Sequence, residues 1–368
     1  MASRLDDKSS SEISLGELDN RLRGFGSWLL ARSPIWILGF GFFIVLMKTG
    51  IRTSLLGIEK NYLPIIQLFP DYHSYVSASI GPISFGHLLG VNTAIEWLLV
   101  CAAVLGACLT TVYFLLRKTD RAIAAAAALF FVSISALSTQ FIWLGSYDCF
   151  VLFGLSLWAL AKGRALWIIG ALVAASSNPE QMLVGSLALI LVTLAPPLNG
   201  FRTKAYALLG SSLAMMFFVT LWMSRSEIQE SRLTLLTENL KTSILQFVRD
   251  LPYNVWGWYG VVWLLVLVTL VLSRSWRIRI LLLIGMVVVP ALATIVTLDG
   301  VRVFAMVSMP IALVLVVFIS RRVTSDSANS QRYVGLYAVV FLITPAAVSA
   351  WSSLGTPLAM RLLSWLPG

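Results

Sequence analysis

Charge is what this chain has least of. Only 12% of its 368 residues are Asp, Glu, Lys or Arg, against about 25% in a soluble domain. Histidine occurs twice (His73, His87) and cysteine three times (Cys101, Cys108, Cys149). No cysteine sits in a CxxC or in a paired loop spacing, so neither a disulfide framework nor a zinc site is indicated. All three lie in or at the edge of apolar runs and read as small packed residues. GxSxG, HExxH and P-loop motifs are missing, as is a GxGxxG between strand and helix. Alternation of apolar and polar residues over strand lengths is missing too, which argues against an outer-membrane barrel.

What remains is hydrophobic sequence, 58% of the chain. It comes in runs of roughly 15–22 residues, the length that carries a helix across a bilayer. The fold class expected is an all-α polytopic membrane protein with eleven spans, at 35–51, 94–116, 122–144, 149–161, 165–176, 181–195, 205–223, 255–272, 280–298, 303–320 and 333–351. The spans at 149–161 and 165–176 are short and need tilt, bilayer thinning or shielding by neighbours.

Four regions follow. Residues 1–33 form a polar tail, too long and too acidic for a signal-peptide start. Residues 34–223 form a first transmembrane module with a long first outer loop at 52–93. Residues 224–254 carry Leu233, Leu236, Leu240, Ile244, Phe247 and Leu251 at intervals of three and four, one face of an amphipathic helix. Residues 255–368 hold the C-terminal helices and an interfacial tail. Trp256-Gly257-Trp258-Tyr259 reads as an interfacial aromatic belt.

The net charge is +10. In so apolar a chain this orients the protein in its bilayer and does not point to nucleic acid. With the N-terminus inside and eleven spans alternating, 18 of the 27 Lys and Arg fall inside and 9 outside. Every inner loop carries at least two, as the positive-inside rule requires. The expected location is the cytoplasmic membrane of a bacterium.

That orientation collects the other polar residues on the outer face. Asp71, Tyr72 and His73 lie there in Pro70-Asp71-Tyr72-His73-Ser74-Tyr75. Tyr147 and Asp148 lie there too, with Asn178-Pro179-Glu180-Gln181, Arg249-Asp250, Asp299 and Arg302. Ionisable residues at membrane depth are candidates for function. Each has a plainer reading. Asp148, Asn178 and Asp299 stand where spans begin and suit helix N-caps. Asn178 does so most clearly, with Pro next and an acid in the first turn. Arg302 lies three residues after Asp299 and suits an ion pair with it. Asp71 suits an Asx turn after Pro70. His73 and His87 read as structural.

An inside N-terminus, one span, a long outer loop with an acid and then short spans joined by tight turns resemble the GT-C class of integral-membrane glycosyltransferases. The loop Trp143-Leu144-Gly145-Ser146-Tyr147-Asp148 resembles that class's second outer turn. The resemblance covers residues 35–223 and rests on layout. It implies sugar transfer from a polyprenyl-phosphate donor to a glycan, lipid or protein acceptor at the outer face. Asp71 is then the expected catalytic base, with Asp148 second. Arg302 is the expected phosphate contact, with Arg249 second, and Asp299, Glu180, Tyr72 and Tyr147 are further substrate-binding candidates. The departing phosphate needs a cation, either arginine or a divalent ion such as magnesium or manganese. Two rival expectations are a lipid-linked sugar transporter, for which the proline-bearing spans near Pro290, Pro310 and Pro345 speak, and a polysaccharide polymerase working at the same face.

Overall fold

The computed structural model describes residues 15–51, 55–71, 75–224, 232–249, 251–295, 297 and 300–346, and among them every regular element is helical. Helix α1 (Leu15–Leu30) meets α2 (Pro34–Thr49) at a 115° elbow. Short pieces follow: α3 (Leu55–Asn61), α4 (Leu63–Gln67) and α5 (Ile80–Leu88). The first bundle comprises α6 (Ala94–Leu116), α7 (Arg121–Val132), α8 (Ser135–Ile142), α9 (Asp148–Leu160), α10 (Arg164–Ser177), α11 (Pro179–Thr193) and α12 (Arg202–Met223). Then come α13 (Arg232–Arg249), α14 (Leu251–Tyr259), α15 (Trp263–Leu272), α16 (Trp276–Leu283), α17 (Val289–Ile295), α18 (Gly300–Ser320) and α19 (Ala328–Ile343).

Among the described residues five helical stretches are long and apolar enough to cross a membrane: Ala94–Leu116, Pro196–Met223, Asn254–Leu272, Trp276–Ile295 and Gly300–Ser320. Counting each bent pair, α1 with α2 and α7 with α8, as one span gives seven. The chain is thus a multi-pass membrane protein. The expected count of eleven is larger because several apolar runs are short or broken. The run at 122–144 is split at Ser133-Ile134 into α7 and α8, bent by 46°. Helices α9, α10 and α11 have 13, 14 and 15 residues, about 20–23 Å of rise, short of a core about 30 Å thick. Neighbours shield α9, which is buried along most of its length.

At the centre runs α18, buried on almost every side from Phe304 to Ser320. Its sequence is apolar all round, as a helix enclosed by others must be. Helices α9 and α10 approach closely through glycine. A Cβ at Gly154 would lie 2.6 Å from the Ala174 nitrogen, and one at Gly170 would lie 2.5 Å from the Trp158 nitrogen. Small residues at such crossings let membrane helices gain backbone contact.

A second apolar cluster sits beside the main core. Ile58, Ile65, Ile66 and Ile83 from the first long loop pack on Trp97, Tyr147 and Phe150. The loop is therefore a helical cap over the first turns of α6 and α9. A capping box starts α6: the Glu96 N–H donates to Thr93 Oγ1 at 3.2 Å, and the Thr93 N–H donates to Glu96 Oε2 at 3.1 Å.

Residues 1–33 were expected to be a polar tail, yet α1 docks on α19. A Cβ at Gly26 would collide with the Gln331 carbonyl, and one at Gly335 with the Leu22 carbonyl. An Asp19–Arg332 ion pair of 2.9 Å adds to the contact. The amphipathic α13 forms as expected, and Leu240 and Ile244 on its apolar side stay exposed. The expected aromatic belt is corrected: Trp258 and Tyr259 are buried. Trp258 stacks on Phe304 with ring centroids 4.4 Å apart, and the Tyr259 hydroxyl donates to the Met286 carbonyl at 2.7 Å. Packing against α18 takes these rings out of the interface.

Candidate functional site

Helices α9 and α18 begin side by side. Asp148 is the first residue of α9 and Arg302 lies in the first turn of α18. Arg302 Nε donates to Asp148 Oδ2 at 2.5 Å, and Arg302 Nη2 donates to Oδ1 at 3.2 Å. This is a two-pronged arginine–carboxylate contact, the geometry in which such pairs are strongest. The Asp148 side chain is 1% exposed and that of Arg302 18%. A carboxylate in the first turn suits the positive end of the α9 dipole, whereas a guanidinium in the first turn of α18 does not. Asp148 offsets that second, unfavourable placement.

Aromatic rings enclose the guanidinium. Its carbon lies 5.3 Å from the centre of the Trp143 ring and 5.8 Å from that of Tyr147. Tyr147 meets Tyr62 edge-on at 6.0 Å, and Tyr62 stacks with Trp97 at 6.4 Å. Trp97 stacks in turn with Phe150 at 6.1 Å. The turn that carries Asp148 is fixed from below. The Trp97 indole N–H donates to the Gly145 carbonyl at 2.8 Å, and the Asp148 N–H reaches Ser146 Oγ at 3.3 Å. Gly145 has φ +101°, a conformation that favours glycine. A side chain there would also strike Ile58 of the cap.

The structure thus brings together Asp148, Arg302 and Tyr147 among the residues expected from sequence. Arg302 reaches Asp148 across the fold, and the pairing with Asp299 that the sequence suggested involves a residue outside the described ones. Asp299 and Tyr72 lie outside the described residues. So do His73 and Asp250. Asp71 is exposed in the turn after Pro70, with its N–H on the Leu68 carbonyl at 2.7 Å. Glu180 is half-buried in the first turn of α11, and Arg249 ends α13, exposed. Asn178 is the N-cap expected of it, accepting from the Gln181 N–H at 3.3 Å. His87 packs structurally, with Nδ1 2.8 Å from the Ile66 carbonyl.

Trp143, Tyr62 and Trp97 were not singled out as site residues by the sequence. The aromatic and glycine residues of Trp143-Leu144-Gly145-Ser146-Tyr147 were the available signal. A divalent cation finds little here. Among the described residues no three His, Cys, Asp or Glu side chains gather, and Asp148 faces a guanidinium. No step is assigned to a metal.

At the opposite end of α9 the chemistry differs. Lys204 Nζ donates to the carbonyls of Trp158, Ala159 and Ala161 at 2.9, 2.8 and 3.0 Å. An ammonium has three donors, and all three are used on the last carbonyls of the helix. In return the Trp158 indole N–H donates to the Lys204 carbonyl at 3.0 Å.

No protein-family model, curated protein or solved structure matches this chain.

Proposed function

We propose that this protein is a membrane glycosyltransferase that moves a sugar from a polyprenyl-phosphate donor to an acceptor hydroxyl at the outer face of a bacterial cytoplasmic membrane. The observation that carries this reading is the Asp148–Arg302 pair, set in aromatic rings under the first long loop. Sugar transfer needs a base for the acceptor hydroxyl and a cation for the departing phosphate. The pair holds one of each in contact. In the proposed cycle the donor phosphate draws the Arg302 guanidinium, whose planar fork suits phosphate as well as carboxylate. Asp148 is then released to take the acceptor proton. The acceptor oxygen bonds to the anomeric carbon, the bond from that carbon to the lipid phosphate breaks, and the phosphate leaves beside Arg302. Asp71, exposed on the cap, is the alternative base. Tyr147 lines the site, and Glu180 and Arg249 are further candidates for sugar or acceptor contact.

Purified protein incubated with radiolabelled polyprenyl-phosphate sugars and membrane acceptors should release labelled product. Arg302→Lys should retain the charge but lose the fork, and turnover should fall by at least tenfold. Asp71→Ala against Asp148→Asn separates the two bases. Folded protein that turns over no donor would remove the transferase reading. Weight would then pass to transport of a lipid-linked sugar, measured in proteoliposomes. One observation favours that second reading: a π-helical turn at Ile284–Val288 interrupts the helix from α16 to α17, next to Pro290, and π turns often mark functional helix breaks.

A further inference from the structure

The elbow between α1 and α2 encloses an apolar groove of about 230 Å³. One wall is a file of aromatic rings. Phe25 stacks on Trp28 at 5.9 Å, Trp28 meets Trp36 edge-on at 5.4 Å, and Trp36 stacks on Phe40 at 5.2 Å. Leu129 of α7 and Phe341 of α19 close the other side. Trp28, Trp36 and Phe40 remain 40%, 44% and 47% exposed. Water in such a groove finds too few polar partners to be held. A methylene chain entering from the bilayer exchanges one apolar surrounding for another and loses nothing.

The groove is built before any occupant arrives. The close Gly26 and Gly335 crossing and the Asp19–Arg332 ion pair fix α1 on α19. A preformed apolar site with a few placed polar groups is how small ligands are held. The polar group is Arg32, at the bend itself. Its side chain is exposed and its guanidinium lies 4.4 Å above the Trp28 ring. Among the described residues no carboxylate pairs with it. Further exposed cations lie where the chain enters α7 and α19, two helices that line the groove: Arg117 and Lys118 before α7 with Arg121 at its start, and Arg321 and Arg322 before α19. Such clusters draw anionic lipid to a membrane surface.

We propose that this elbow is a binding site for one anionic phospholipid of the surrounding bilayer, with an acyl chain in the groove and the headgroup phosphate on Arg32. The site is lined by α1, α2, α7 and α19, none of which carries Asp148 or Arg302, and it is independent of the proposed transfer reaction. The test uses the full chain in detergent mixed with phosphatidylglycerol or phosphatidylcholine, with retained lipids counted by native mass spectrometry. One phosphatidylglycerol should stay bound at detergent levels that strip phosphatidylcholine. Arg32→Gln changes an exposed residue and leaves the groove intact, and it should lower that retention about tenfold. Ala338→Leu, which narrows the groove, should lower phosphatidylglycerol retention as well. Equal retention of the two lipids by the native protein overturns the proposal, and so does unchanged phosphatidylglycerol retention in Arg32→Gln.

Discussion

The two ends of α9 each bury a charge, and they solve the problem differently. At the last turn, Lys204 meets neutral carbonyls and fills all three of its donors. At the first turn, Asp148 meets the guanidinium of Arg302, 154 residues away in sequence. The lysine arrangement is a closed structural clasp: its partners are backbone atoms that cannot leave. The aspartate arrangement is an exchange of one charge for another, and a competing anion can take the place of the carboxylate. This difference is why one end reads as support and the other as a site.

The largest expected effect comes from breaking the ion pair one-sidedly. Asp148→Ala or Arg302→Ala removes one partner of a buried pair and should cost about 3–5 kcal/mol, measured as resistance to unfolding in detergent. Sharpening the comparison needs both changes together. Asp148→Leu with Arg302→Met should recover most of that loss while abolishing any turnover. Equal instability of the double variant would mean the pair itself holds the fold.

Lys204→Met tests the other end. Its three carbonyls lose a charged donor, and a loss of about 1.5–3 kcal/mol is expected with activity per folded molecule unchanged. A smaller effect is expected beneath the Asp148 turn. Trp97→Phe keeps the ring and removes the indole N–H from the Gly145 carbonyl. That should cost about 1 kcal/mol and shift any activity only through the position of Asp148. Last, Glu96→Ala removes half of the α6 capping box at an exposed position. A slightly lower unfolding temperature and no change in turnover are expected, read by thermal unfolding and by assay.

Much of the architecture was legible in the sequence. The length of the apolar runs dictates membrane helices, because backbone groups in lipid must bond within their own segment. Loop residues indicated the start of α11, where Asn178 caps. Periodicity dictated α13. The span count was not legible, because hydropathy cannot tell a lipid-facing helix from a short one shielded by neighbours. Helix α9 and the broken α7–α8 pair are of that kind. Nor could hydropathy place Trp258, apolar in either setting, against Phe304.

The candidate site divides the same way. Sequence alone determined which side chains could do chemistry: in so apolar a chain, Asp71, Asp148 and Arg302 stand out by charge. It could not determine which of them meet. Local spacing favoured Asp299 for Arg302, since i to i+3 neighbours share a helix face. Only the tertiary structure, by starting α9 and α18 at the same place, put Asp148 within reach of Arg302. The physical reason is that a charge buried in a membrane protein is held by whichever opposite charge the packing delivers, and packing between helices far apart in the chain is not written in any local pattern.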